Sequence, residues 1–334
     1  MAMEQRPLGT TGLQVSALGY GSGAIGGLFT KGDPDEQRRA IARALDGGIT
    51  YYDTASSYGD GRSEENLGRV LRELNAWDRV IVGTKVRLTA DDMQDPVAAI
   101  ERSAEASLQR LNHDSVDLLQ LHNPIVPRGG GAMQNASGGS VDPETVQGAI
   151  TEGLRRVKER GLARHIGFTG LGDTQAVHAA VTSGAFATVQ SYFNAVNPSS
   201  GYAGASGGEQ DFAGLIDVAA GTGVGVIAIR VLAAGALAAE PERHANAGDP
   251  GSPLVGGGEY AHDLNRARDL TWFATEAGLE STVEMAVRFA LSKPGISTAL
   301  VGYSDLAQLE DALRWAGRGP LPTDVIEHIV GAAR

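Results

Sequence analysis

The segment Asp33-Pro34-Asp35-Glu36-Gln37-Arg38-Arg39-Ala40-Ile41-Ala42-Arg43-Ala44-Leu45-Asp46-Gly47-Gly48-Ile49-Thr50-Tyr51-Tyr52-Asp53 decides the fold. Asp33 is a helix N-cap, Pro34 suits the first helical position, and Glu36 completes a capping-box pattern. Ile41, Ala44 and Leu45 form the inner face. Gly47-Gly48 stops the helix. An apolar run, 49–53, follows at once and ends on a carboxylate. Helix, glycine stop and buried strand make one unit of an α/β repeat.

The same grammar recurs along the chain. Helix 64–74 leads to strand 80–85, helix 96–111 to strand 116–122, and helix 144–160 to strand 165–169. Helix 174–183 leads to strand 188–193, and helix 211–220 to strand 224–230. Helices 264–277 and 282–292 precede strand 297–301, and a last helix runs from Asp305 to Trp315. Ahead of these, residues 3–16 carry Gly9-Thr10-Thr11-Gly12 between two β-prone pieces, a hairpin signal, and 17–21 reads as a strand. Strict alternation implies a parallel sheet with helical crossovers. An open doubly wound sheet shares that alternation, but eight evenly spaced units favour closure. The expected fold is α/β: one (β/α)8 TIM barrel over residues 1–334, with an N-terminal β-hairpin and long carboxyl-end loops.

Those loops are Asn123 to Val141, with Gly129-Gly130-Gly131 and Ser137-Gly138-Gly139, and Leu232 to His262, with Gly256-Gly257-Gly258. Both follow strands and so fall on the face where barrels place their sites. They are either ordinary insertions or walls of a substrate entrance. Gly21-Ser22-Gly23-Ala24-Ile25-Gly26 matches the dinucleotide fingerprint in form only. That loop must open directly into a helix, and Gly27, Gly32 and Pro34 leave no helix before residue 34.

Lys plus Arg number 28 against 40 Asp plus Glu, a net charge of −12. That balance argues against a nucleic-acid or anionic-membrane partner. With no cysteine, thiol catalysis, disulfides, iron–sulfur clusters and thiolate zinc sites are excluded, and no metal site is expected. Met1 to Leu18 lacks a continuous apolar segment, and Val224 to Ala239 is short and broken by Arg230, so a cytoplasmic protein is expected.

Three successive strands end in Asp53, Lys85 and His122, and Tyr58 lies in the loop after the first. Singly, each has a bland reading: a turn cap, a solvated strand end, a core histidine, a surface aromatic. At the mouths of three neighbouring barrel strands they form a constellation. A phenol ionises only near pH ~10, so acid–base work near neutrality requires a cation a few ångströms away. Asp53 holds Lys85 charged and aimed, and Lys85 acidifies Tyr58. Tyr58 then gives its proton to a carbonyl oxygen that His122 orients. None of the four donates hydride, so a cofactor must.

On these motifs the chain resembles an aldo-keto reductase. The resemblance rests on Asp53-Thr54-Ala55 with Tyr58-Gly59, Ser63-Glu64 with Leu67-Gly68, Gly83-Thr84-Lys85 and Leu121-His122-Asn123-Pro124. It continues through Ile166-Gly167-Phe168-Thr169, Gln190 with Tyr192 and Asn194, and Leu300-Val301-Gly302-Tyr303-Ser304. It implies a catalytic tetrad of Asp53, Tyr58, Lys85 and His122. It also implies an extended nicotinamide dinucleotide at Gly21, Ser22, Asp53, Thr169, Gln190, Arg230, Leu232, Gly302, Ser304, Gln308 and Asp311. Gln190 is either a carboxamide contact or a structural amide. Thr169-Gly170 stands where many relatives carry Ser-Asn, and Ile229-Arg230-Val231-Leu232 where they carry an aromatic and Ser-Pro-Leu. Arg230 faces either the pyrophosphate or a rim ion pair, and Ser304 either a phosphate or ribose or an ordinary N-cap. Gly302 to Gln308 contains no Lys or Arg for a 2′-phosphate, and Asp305 and Asp311 oppose one. NADP(H) is slightly favoured by family habit, and NAD(H) remains open.

Phe29, Met133, Tyr202, Tyr260 and His262 suggest a pocket of mixed polarity, and the chain's stop soon after its last helix suggests an open one. The leading reading is NAD(P)(H)-dependent reduction of an aldehyde or ketone. The alternatives are an NAD-dependent sugar (aldose) dehydrogenase and a cofactor-binding regulatory subunit. The substrate is a small carbonyl compound or sugar; the oligomeric state is not legible.

Overall fold

The computed structural model describes residues 3–128, 139–240, 242–250 and 260–334. Asp33 accepts from the N–H groups of Asp35 and Glu36 and opens helix Pro34–Asp46, which buries Gln37, Ala40, Ile41 and Ala44 on one stripe. Leu45, at the edge of that stripe, is only partly buried. Glu36 does not close a capping box. Its carboxylate accepts from Leu306 N–H at 3.2 Å, tying this helix to helix Leu306–Ala316.

β1 (Gln5–Pro7) and β2 (Gln14–Ser16) form the hairpin. β3 (Leu18–Gly21), β4 (Tyr51–Asp53), β5 (Ile81–Val86), β6 (Val116–Leu121), β7 (Ala163–Gly170), β8 (Thr188–Tyr192), β9 (Gly225–Ile229) and β10 (Ile296–Gly302) close into a parallel barrel, with β10 returning to β3. The barrel is filled in layers contributed by alternate strands, and glycines make the room. A Cβ on Gly19 would lie 2.8 Å from Thr298 Oγ1, one on Gly83 2.6 Å from the Tyr51 hydroxyl, and one on Gly167 2.1 Å from Thr188 Oγ1. At the amino end the hairpin acts as a stopper. Leu8, Leu13 and Val15 pack against Tyr51, Leu118 and Ile227 in a cluster of their own.

Several elements differ from the sequence reading, each for a local reason. A single helical turn, Leu28–Lys31, fits between left-handed Gly27 (φ 85°) and Gly32, so the stretch before residue 34 is not helix-free. The expected helix 144–160 is interrupted at Gly148, whose φ/ψ of −94°/−106° separates Pro143–Thr145 from Thr151–Glu159. Helix 211–220 begins only at Leu215, because Ala213 and Gly214 are left-handed and Asp211 accepts from Ala213 N–H at 2.7 Å. The helix expected from residue 264 is already formed at Tyr260 and runs to Glu276. A further helix, Thr323–Ala332, buries Val325, Ile329 and Val330; the Pro320-Leu321-Pro322 punctuation hid it. Gly129-Gly130-Gly131, Met133, Ser137-Gly138 and Gly256-Gly257-Gly258 lie outside the described residues. Among the described residues, no helix is long and apolar enough to cross a membrane.

Close helix packing yields a first test. Gly68 lies on helix Arg62–Glu73, and a Cβ there would stand 2.1 Å from Leu111 O at the end of helix Pro96–Leu111. Gly68→Ala is expected to lower stability by about 1–3 kcal/mol. Gly331, with open space around its Cα, should instead gain up to about 1 kcal/mol as alanine. Denaturant melts of the two variants should move in opposite directions.

Candidate active site

Asp53 ends β4, and the next two strands bring Lys85 and, one residue past β6, His122 to the same rim. Tyr58 follows in the loop that Gly59 (φ 61°) and Gly61 (φ 89°) turn into helix Arg62–Glu73. The Lys85 side chain is fully buried and pairs with Asp53 Oδ1. Its ammonium also donates to Thr54 O at 2.9 Å and to the Tyr58 hydroxyl at 3.2 Å, and lies 4.8 Å from the Tyr58 ring centre. Burial works to discharge this lysine, but the opposing charge of Asp53, with Tyr58 and the hydrogen bonds to both, carries its pKa above the ordinary lysine value.

The other carboxylate oxygen, Asp53 Oδ2, accepts from Gln190 Nε2 at 2.7 Å, the Tyr51 hydroxyl at 3.1 Å and Gln120 Nε2 at 3.3 Å. The His122 ring stands edge-on to Tyr58 with centres 5.7 Å apart, and its Nδ1 lies 3.4 Å from Ser57 Oγ. Burial first, then the cations of Lys85 and Arg87, hold the imidazole well below its usual pKa, so it is neutral near pH 7. Behind the rim, Glu64 is buried and accepts from Thr84 Oγ1 at 2.5 Å and Arg110 Nε at 2.6 Å. Ser63 Oγ donates to Ser22 O at 2.8 Å. The Ser63-Glu64 motif thus fastens the helix that carries Tyr58's loop to β5 and to the loop after β3.

The remaining sequence candidates spread around the same mouth. Gly21 and Ser22 close β3, and Ser22 Oγ is buried without a partner, as is Thr169 Oγ1 on β7. Arg230 leaves β9 in a left-handed conformation (φ 58°), with its carbonyl held by Asn194 Nδ2 at 3.1 Å. Its guanidinium makes no ion pair among the described residues, and burial depresses its pKa. Leu232 begins a turn in which Ala233, Ala234 and Gly235 are also left-handed. Gly302 ends β10. Ser304 Oγ donates to Gly26 O at 2.6 Å and Gln308 Oε1 accepts from Ser304 N–H at 2.8 Å. Asp305, not Ser304, is the helix N-cap. Asp311 is further along that helix and pairs with Arg314.

Residues 246–248 come back against the loops after β3 and β10. Gly248 N–H donates to Ile25 O at 3.1 Å, Lys31 Nζ to Ala247 O at 3.3 Å, and Asn246 Nδ2 to Ser304 O at 2.9 Å. Of the residues expected to line a pocket, Phe29 is buried against Tyr20, and Tyr202 packs between Phe193, Phe289 and Lys293. Tyr260 accepts from Arg243 at 3.0 Å, and His262 lies 3.7 Å from Glu209.

Sequence reasoning missed Tyr51, Gln120, Ser57, Arg87, Glu209 and Asp263. The strand period placed the first two on an inward face, two residues before Asp53 and His122, but did not mark them as partners of Asp53. Asp263 is buried beside Glu209. Burial, then the charge of Glu209 and the hydrogen bond that the protonated carboxyl donates to it, push its pKa up to about 7. A carboxyl raised in the folded state contributes full stability below its unfolded pKa and loses it as pH rises toward about 7. Asp263→Asn is therefore expected to melt higher than the parent at pH ~8.5 and to match it near pH ~4; a constant offset across that range would contradict the assignment.

The sequence pattern of the aldo/keto reductase family matches residues 17–334. L-galactose dehydrogenase of Arabidopsis thaliana is 28% identical over 318 residues, covering 92% of this chain and 86% of that protein. D-threo-aldose 1-dehydrogenase of a Pseudomonas species is 34% identical over 148 residues, 37% of this chain and 45% of that one. Among solved structures, the holo form of the aldo-keto reductase AKR11C1 from Bacillus halodurans superposes with a TM-score of 0.73 at 21% identity. That match covers 99% of this chain and 97% of that one, and supports the fold.

Proposed function

The chain belongs to the aldo/keto reductase family of oxidoreductases, and we propose that it interconverts a small carbonyl compound and its alcohol, with Tyr58 as the proton donor in reduction. The observation that carries this reading is the 3.2 Å contact from the buried Lys85 ammonium to the Tyr58 hydroxyl, with Asp53 behind it. The ammonium stabilises negative charge on the phenol oxygen as its proton leaves. A neutral His122 ring that accepts from Ser57 at Nδ1, 3.4 Å away, carries its proton on Nε2 and offers it to the substrate oxygen.

A nicotinamide dinucleotide, when bound, supplies the hydride. The residues present fit it. Gln190 spends its amide nitrogen on Asp53, so its carbonyl end suits the carboxamide nitrogen, and the unpartnered Thr169 hydroxyl suits the carboxamide oxygen. Arg230 suits the pyrophosphate, and the orphaned Ser22 hydroxyl adds a donor at β3. At the adenosine end Gln308 is engaged with Ser304, and Asp305, the helix cap, lies 3.5 Å from His244. With no Lys or Arg from residue 302 to 308, this end supports NAD(H) over the NADP(H) that the resemblance favoured.

The second reading, oxidation of a sugar, draws on that acidic adenosine end and on the sugar dehydrogenases among the relatives. Initial rates with both dinucleotides, in both directions, on aldoses and simple aldehydes separate the two. Tyr58→Phe is expected to bind dinucleotide as the parent does while turnover falls about 10²–10⁴-fold; turnover within threefold of the parent would refute the assigned donor. His122 should titrate in NMR well below a free imidazole, and a midpoint near the free-imidazole value would contradict its neutral role.

A further inference from the structure

We infer that Tyr51 and Gln120 are positioning residues that act through Asp53: together they fix the carboxylate so that Lys85 presents its charge to Tyr58. The inference rests on the reaction proposed above.

An ionised carboxylate is acceptor-only, and Lys85 engages one of its oxygens. The other lies inside the barrel, where water does not cover it. Three donors converge on it, from β4, β6 and β8: the Tyr51 hydroxyl at 3.1 Å, Gln120 Nε2 at 3.3 Å and Gln190 Nε2 at 2.7 Å. Both amides must turn nitrogen toward Asp53, because their oxygens have nothing to accept there. For Gln120 this orientation carries a visible cost, since Oε1 is buried without a partner. An apolar side chain would fill the same space and leave no orphan. The amide is explained by what its nitrogen does for Asp53.

The backbone around the two residues is cut to match. Gly83 and Gly167, neighbours on the adjacent odd strands, leave the space: a Cβ at Gly83 would lie 2.6 Å from the Tyr51 hydroxyl, and one at Gly167 3.4 Å from Gln120 Cγ. Tyr51 is fully buried, and burial together with the adjacent Asp53 charge raises its pKa well above the usual phenol value. It is therefore a permanent donor, unlike Tyr58, which faces the mouth.

Donors on Oδ2 draw carboxylate charge away from Lys85. Without them Asp53 turns more of its charge on the ammonium, and the field that reaches Tyr58 weakens. The groups facing Asp53 from every packed strand are Lys85, Tyr51, Gln120 and Gln190, of which only Lys85 carries charge. Tyr58, whose ionisation the test reads, is faced by Lys85 and His122 and lies in the field of Arg87 and Arg230.

Tyr51→Phe and Gln120→Met remove one donor each at nearly constant volume. The test is the pH dependence of kcat for carbonyl reduction, with dinucleotide Kd and thermal melts on the same preparations. The expected result is a fall in kcat of about tenfold, the alkaline limb moved upward by up to about one pH unit, and Kd unchanged. Profiles superimposable on the parent's, or a change confined to Kd or melting temperature, would overturn the inference. If one variant does not fold, the other decides. Tyr58→Phe run alongside separates the failures: if that variant keeps its turnover, the proposed reaction is wrong, whereas its collapse beside unshifted Tyr51 and Gln120 profiles refutes only the positioning role.

Discussion

A lysine ammonium without solvent, held against a carboxylate inside a barrel, is the constraint to which the rest of this molecule answers. Removing two such ions from water costs several kcal/mol each, and the attraction between them offsets that only when every remaining lone pair and proton is satisfied. Asp53 and Lys85 meet the condition with side-chain partners from three strands and a backbone carbonyl just past β4. The polar layer of the barrel, and the glycines that make space for it, follow from that demand. Its outcome is a cation fixed 3.2 Å from one phenol oxygen.

The rim around that cation is held by backbone rather than by large side chains. The turn after β9 places Arg230, Ala233, Ala234 and Ala239 at positive φ, on the order of 1–2 kcal/mol of strain for each non-glycine residue. Asn194 and the N–H of Ala233 both bond the carbonyl of Arg230, at 3.1 and 2.8 Å, which keeps the strained turn in one form. Beside that turn, Gly26 lies so close to Tyr303 that a Cβ would come within 2.5 Å of its nitrogen. The loops of the first and last barrel strands are therefore packed as one wall.

Much of this was legible before any coordinates. The helix cap at Asp33 and the glycine stops set the alternation that makes a barrel, and strand-terminal residues pointed to Asp53, Lys85 and His122. What escaped had a physical cause in each case. Gly148 and the left-handed Ala213–Gly214 pair broke or shortened helices whose apolar period ran on regardless. Helix Thr323–Ala332 was masked by prolines. Tyr51 and Gln120 looked like strand filler because period two marks an inward face without saying what lies across the barrel. Asp263 and Glu209, more than fifty residues apart, meet only through the folded loops.

The hairpin stopper has one more effect. With Leu8, Leu13 and Val15 seated in the amino end against Tyr51, Leu118 and Ile227, the interior has an oily floor. The way from the buried pair to bulk water therefore leads upward, toward the mouth where the Tyr58 hydroxyl meets Lys85. Traffic into this barrel is one-ended.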